Sequence, residues 1–258
     1  MLITSNENSN VKLYIKLSSS KKARDEHNQF TLEGSRLLRE AVLEKSDIQV
    51  IFATETALER DKNFLQKYSD KILTISEGIA KRLSNTKSDQ GVFAIINKCE
   101  NESLCNQPLN GKYLVLNNIQ DPGNLGTILR TADAVGISGV ILTENCCDLY
   151  NPKVVRSTMG SLFRLKIFIE NDFCDVCEIL KSESVKTYAA VVSNNAAEIR
   201  SAEFAVNSAI VIGNEGNGLK DEHSALCDER VTIKMNGNID SLNAGIAAAI
   251  LMWEMTKV

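Results

Sequence analysis

Histidine is scarce in this chain of 258 residues, which has 2 histidines alongside 1 tryptophan and 3 prolines. A serine–histidine–aspartate relay or a histidine-rich metal cluster has almost no material to be built from. Long apolar runs are missing as well. The longest stretch of small and apolar residues, Ala244 to Trp253, is too short to span a bilayer. The first residues lack the basic-then-apolar pattern of a secretory signal, so a cytoplasmic protein with no membrane partner is expected. The net charge is only -4, so any case for nucleic acid must rest on local patches.

Framework cysteines are absent too. The 7 cysteines are an odd number without regular spacing, which argues against a disulfide-stapled secreted fold and for reduced thiols. Cys174 and Cys177 form a Cys-x-x-Cys, but they share an apolar stripe of helical spacing with Phe173, Val176, Ile179 and Leu180. No second pair completes a zinc site, so core packing and no metal are expected.

What is present is an alternation of strands and helices. Residues 1–98 read as a small α/β domain, with a helix over Asn10–Ser18, strands near Phe30–Leu32, Val50–Ala53, Ile72–Ile75 and Val92–Ile96, and helices between them. Residues 99–110 are polar and unpatterned and predict a linker. From 111 to 258, strands near Tyr113–Leu116, Val140–Leu142, Leu165–Ile169, Thr187–Val192, Ala209–Ile212 and Val231–Ile233 alternate with helices. Such alternation predicts a mainly parallel sheet covered on both faces.

Three segments carry the chemistry. Asn117 to Ala132 joins a buried strand to a helix through Asp121-Pro122-Gly123-Asn124, and Arg130 lies within that helix. Ile210 to Leu219 runs a β-branched strand into a turn holding Gly213, Gly216 and Gly218. Alone, that turn serves a ligand or plain chain reversal equally well, and Glu215 within it is ill suited to cradling phosphate. Ile233 to Ala249 places Asp240-Ser241 as an N-cap before a helix of small residues. A fourth feature is basic: Lys12, Lys16, Lys21, Lys22 and Arg24 have no acidic residue among them, which suits either phosphate contact or a solvated helix face.

Together the three segments resemble the motifs of the SpoU-type, TrmH-like RNA ribose methyltransferases of the SPOUT superfamily. Asn118, Asp121, Pro122, Asn124, Gly126 and Arg130 match an Asn-x-x-Asp-Pro-x-Asn-x-Gly-x-x-x-Arg pattern. Gly213, Glu215, Gly218 and Leu219 match the second motif, and Ser241-Leu242-Asn243 the third. Asn151 to Phe163 is similar to a further family segment, and Lys12 to Ala41 looks like the L30e-like domain that precedes many members. Lys234 departs from the family, which commonly has proline there.

The resemblance implies a deep trefoil knot in the C-terminal domain, S-adenosylmethionine as cofactor and a homodimer. It implies an RNA partner, with large-subunit ribosomal RNA expected. The alternatives are tRNA as substrate, or a non-catalytic RNA-binding protein retaining the fold. Arg130, Asn124, Glu215, Ser241 and Asn243 are the implied catalytic residues. Val192, Ser193, Gly213, Asn214, Glu215, Gly218, Ile233, Met235, Ser241 and Leu242 would hold the cofactor. Lys12, Lys16, Lys21, Lys22, Arg24 and Arg156 would meet RNA.

Overall fold

The computed structural model describes residues 2–86, 89–100, 103–143 and 145–257. The chain divides into two compact units, one of Met1–Glu100 with Asp148–Phe163, the other of Asn101–Cys147 with Arg164–Val258.

In the first unit, β1 (Leu2–Ile3), β2 (Gln29–Glu33), β3 (Ile48–Ala53), β4 (Ile72–Ile75) and β5 (Val92–Asn97) form a mixed sheet in the order β1-β4-β3-β5-β2. Its core is aromatic where helix Ser9–Ser19 lands on the sheet: Tyr14 meets Phe52 and Phe93 edge-on, with ring centroids 5.7 and 5.8 Å apart. Val11, Tyr14 and Leu17 supply the buried face of that helix, the i, i+3, i+6 spacing that one helical stripe requires. A second helix, Lys21–His27, follows at once, capped by Ser20 and ended by Asn28 in the left-handed conformation.

Helix Pro152–Thr158 also packs in this unit, although it lies within the stretch read from sequence as 111–258. The reason is apolar: Phe30 of β2 stacks on Tyr150 at 4.8 Å and faces Phe163 at 6.4 Å. An ion pair reinforces it. Arg24 is buried and binds Asp148 through Nε at 2.7 Å and Nη2 at 2.6 Å.

In the second unit, β6 (Lys112–Leu116), β7 (Gly139–Leu142), β8 (Ile167–Ile169), β9 (Lys186–Ala190), β10 (Ala197–Glu198), β11 (Ser208–Ile212) and β12 (Glu229–Thr232) form a sheet ordered β10-β12-β9-β11-β6-β7-β8. Every neighbouring pair in it is parallel. The continuous apolar strands Tyr113–Leu116 and Ala209–Ile212 are buried, as central parallel strands must be. β11 enters between β6 and β9, so residues far apart in the chain form the centre of the sheet.

The expected linker is anchored rather than loose. Leu104 and Leu109 are buried in the core of the second unit, and their backbone N–H groups donate to Glu170 and Glu183. Asn101 and Glu102 lie outside the described residues. Among the described residues no helix is long and apolar enough to cross a membrane.

Candidate functional site

At the carboxyl ends of β9, β11 and β12 a cavity of about 520 Å³ opens, the position where parallel α/β sheets hold ligands. Every residue expected to hold the cofactor lines it. Val192 and Ser193 come from the loop after β9, Gly213, Asn214, Glu215 and Gly218 from the turn after β11, and Ile233, Met235, Ser241 and Leu242 from the segment after β12. β9 ends at Ala190, short of the expected Val192, which leaves Val192 in the loop and 73% exposed. Asp221, Ser224 and Arg230 also line the cavity, and sequence reasoning missed them because no motif singles them out.

The glycine turn is a closed loop. Asn214 N–H donates to the Gly218 carbonyl at 3.0 Å, and Gly218 N–H returns to the Asn214 carbonyl at 2.9 Å. Gly218 takes a left-handed φ of 65°. At Gly213 a Cβ would sit 2.3 Å from the Gly218 carbonyl carbon, so only glycine fits this reversal. With three glycines in its span, the loop lets its backbone come close to whatever the cavity holds.

Glu215 joins this loop to the first motif. Its carboxylate accepts from the backbone N–H of Asp121 at 2.9 Å and of Gln120 at 3.1 Å, and from Asn124 Nδ2 at 3.1 Å. Asn214 Nδ2 adds a contact at 3.4 Å and also donates to the Asn118 carbonyl at 3.0 Å. Partial burial pushes the Glu215 pKa up, but the Asp121 and Gln120 amides and Asn124 outweigh it and hold the carboxyl below its ordinary value. Asn118 sits in the left-handed region at φ 63°, which asparagine tolerates better than most side chains. Glu215 thus works as an anion between loops and not as a phosphate ligand.

The third motif closes the chain of contacts. Asn243 Nδ2 donates to Asn124 Oδ1 at 3.0 Å, while Asn243 Oδ1 accepts from Gly245 N at 2.9 Å and Ile246 N at 3.3 Å. Asn243, and not Asp240 or Ser241, is therefore the N-cap of helix Ala244–Thr256. Ser241 instead lines the cavity. At Gly245 a Cβ would lie 3.2 Å from Asn243 Oδ1, the capping oxygen, and in ordinary contact, 3.7 Å, with Asn124 Oδ1 and Thr127 Cγ2. Glu215, Asn124 and Asn243 form one hydrogen-bonded line through all three motifs.

Arg130 stands apart from that line. It lies on the helix Pro122–Ala134, whose N-cap Asp121 accepts from Asn124 N at 2.8 Å, and it is exposed, with no ion pair among the described residues. Helical geometry places it on the stripe of Gly123 and Thr127, clear of the cavity lining.

The residues expected to meet RNA fare differently. Arg24 has its guanidinium buried against Asp148, with a further bond from Nη1 to the Leu17 carbonyl, and so cannot reach a phosphate. Lys12 pairs with Glu7, Lys16 and Lys22 with Glu26, and Lys21 with Asp25, so acidic residues flanking the run neutralise it. Arg156 is 29% exposed at its side chain and lies 3.8 Å from Glu33. A different basic pair emerges. Arg39 and Arg60 converge on the largely buried Asp61, at 2.8 and 2.7 Å, and stay half exposed. Burial raises the Asp61 pKa, but Ser35, Arg60 and Arg39 hydrogen bonds outweigh it and keep it below its ordinary value. Arg39 also lies over the Phe64 ring at 4.4 Å. One carboxylate between two guanidiniums leaves a net positive, pre-oriented fork.

A cavity at the carboxyl ends of a parallel sheet, walled by a glycine turn and tied together by Glu215, Asn124 and Asn243, is the arrangement in which α/β proteins hold a small ligand. The chain belongs to the SpoU rRNA Methylase family, which matches residues 111–253. Residues 8–94 match the MRM3-like substrate binding domain. Among relatives, the 23S rRNA (guanosine(2553)-2'-O)-methyltransferase RlmP of Bacillus subtilis is 32% identical over 98% of both chains. The mitochondrial rRNA methyltransferase 3 of Xenopus tropicalis is 30% identical, covering 93% of this chain and 72% of that protein. The AdoMet-bound rRNA methyltransferase of Sinorhizobium meliloti superposes with a TM-score of 0.88 at 29% identity, over 99% of this chain and 97% of the other.

Proposed function

We propose that this protein transfers the methyl group of S-adenosylmethionine to a ribose 2'-hydroxyl of large-subunit ribosomal RNA. The observation that carries the reading is the Glu215–Asn124–Asn243 line, which ties all three family motifs to the rim of one cavity. The cavity fits the cofactor in size and in its mix of backbone edges with Ile233, Met235 and Leu242. When bound, S-adenosylmethionine supplies an already activated methyl, so the protein's task is positioning.

Glu215 holds the first motif against the cofactor turn, while Asn124 and Asn243 fix each other and orient the acceptor ribose. Arg130, a guanidinium that stays protonated, binds the target phosphate and stabilises the alkoxide as the hydroxyl loses its proton; it does not act as the base. RNA docks on the first unit through Arg39 and Arg60, whose fork suits a phosphate, with the exposed lysines 12, 16, 21 and 22 as weaker contacts.

The active species is a homodimer, and the trefoil knot accompanies this fold. Support for the dimer comes from helix Ala244–Thr256, where Ile246 and Trp253 lie two turns apart on one face and are 54% and 61% exposed. Trp253→Glu is expected to leave a monomer in sedimentation analysis.

The test of function is ribose-methylation mapping of ribosomal RNA from cells with and without this chain, with in vitro restoration by purified protein. A single large-subunit 2'-O-methyl that disappears and returns supports the reading. A lost tRNA methyl would move the substrate, and no lost methyl at all would refute it.

A further inference from the structure

The two arginines that meet at Asp61 are not equivalent. Asp61 ends helix Glu55–Arg60 and opens helix Lys62–Leu65, where its backbone carbonyl accepts from Phe64 N at 2.9 Å and Leu65 N at 3.0 Å. That junction sets its carboxylate against helix Ser35–Leu43, and Ser35 Oγ donates to it at 2.7 Å. Arg60 is tied into the junction on two of its nitrogens: Nε donates to Asp61 at 3.1 Å, while Nη2 donates to Asp61 at 2.7 Å, Ser35 Oγ at 2.8 Å and the Gln90 carbonyl at 2.9 Å. Arg39 is held at one atom. Its Nη2 donates to Asp61 Oδ1 at 2.8 Å, and its guanidinium carbon lies over the Phe64 ring, 4.4 Å from the centroid.

This placement leaves one side of Arg39 open. Phe64 covers one face and Asp61 holds one edge, yet the side chain is 47% exposed, so the exposure lies on the face turned away from the ring and on the remaining N–H edge. A flat cation fixed over an aromatic ring, with its opposite face free, is a surface on which another flat ring stacks. Tyr68 extends the support, its ring 5.9 Å from that of Phe64 and tilted by 52°, and both rings are partly buried. Further cations lie near in the chain. Arg36, one turn before Arg39 on the same helix, and Lys67, between Phe64 and Tyr68, are exposed. A strand of phosphates and bases matches this pattern, with phosphate on the N–H edge of Arg39 and a base on its face.

We infer that the face of Arg39, backed by Phe64, is a receptor for one unpaired nucleobase, so that the first unit selects looped or single-stranded RNA over duplex. In an A-form duplex the bases stack on each other and offer no free face, whereas a base in a loop or bulge can be turned out onto the guanidinium. Arg60 supplies charge to the neighbouring phosphate. Base capture at Arg39 rests on the first unit being the RNA-docking part of the protein, as proposed above.

The test uses the full chain and three labelled probes in fluorescence anisotropy: a short single-stranded RNA of mixed sequence, its blunt duplex, and an abasic ribose phosphate oligomer of the same length. Wild type should bind the single strand about tenfold tighter than either of the others, the worth of one stacked base. Arg39→Lys keeps the charge and loses the plane. It should bind the single strand and the abasic oligomer equally, with the slope of log affinity against log salt unchanged. Phe64→Leu removes the backing ring and should show an intermediate preference; if circular dichroism shows it unfolded, Arg39→Lys decides alone. Equal binding of the three probes by wild type, or a wild-type preference retained in Arg39→Lys, would overturn the inference. Failure to bind even a transcript of large-subunit ribosomal RNA is failure of the RNA-docking reading, whereas binding of the transcript without any preference for unpaired strand refutes base capture alone.

Discussion

Replacing Glu215 by glutamine changes one atom and removes a charge at the point where two loops meet. The carboxylate accepts on both oxygens, from Asp121 N and Asn124 Nδ2 on one and from Gln120 N and Asn214 Nδ2 on the other. A glutamine must point its amide at one of these donor pairs, so two contacts are lost and the rest lose their charge. Hydrogen bonds to charged groups contribute about 1.5–3 kcal/mol each, and partial exposure reduces that, so a net loss of about 2–3 kcal/mol is expected. If the loop must close for the cofactor to bind, this is roughly a 30- to 150-fold weaker affinity by titration calorimetry. The same latch sets a pH dependence. The folded pKa is depressed, so the stabilisation is complete above the ordinary carboxyl value of 4.5 and is lost as pH falls through the lower folded value. Wild-type affinity should therefore decline in acid, while Glu215→Gln, already uncharged, should lack that component. An affinity within twofold of wild type, or an unaltered acid decline, would refute the latch.

Three further outcomes follow from the geometry. Arg130→Lys keeps the charge but loses the planar fork, so single-turnover methylation should fall about 10²–10³-fold while cofactor affinity stays unchanged; near-normal turnover would exclude the fork. Arg24→Ala strands the Asp148 carboxylate at an 11% exposed site, and urea denaturation should show a loss of about 3–5 kcal/mol in the first unit, without the selective loss of RNA affinity that a phosphate ligand would give. Gly213→Ala forces its Cβ against backbone 2.3 Å away, so cofactor binding should vanish with the circular dichroism of the sheet retained.

The strands and the three motifs were legible because they are local: apolar runs mark β6 and β11, and Asp121-Pro122 announces a helix start that the structure shows. The cavity's composition was legible only through family resemblance, since nothing in Gly213 to Gly218 distinguishes a cofactor turn from a simple reversal. Three things escaped. Pairing across sequence is invisible to a local reading, so a run free of acids between Lys12 and Arg24 concealed its neutralisation by Glu7, Asp25 and Glu26 from outside or at its end. Arg24 looked like its neighbours until Asp148, distant in the chain, claimed it. The cap of helix Ala244–Thr256 went to Asn243 because the chain bends at Asp240 and Ser241 and Leu242 line the cavity before the helix begins.

The place of β11 has a consequence for how the protein is made. Its register pairs Ser208 with Lys112 and with Lys186, so the middle of the sheet is filled by a strand made after β6 to β10. The cavity reaches still later, to Leu251. A nascent chain can order the first unit's sheet early, but it has no finished binding site until it has been made through Leu251. Such non-local pairing folds slowly, so each newly made copy passes through an interval with an open central gap in its sheet. Premature termination anywhere before the final helix therefore yields a chain without a complete pocket, not a weakened enzyme.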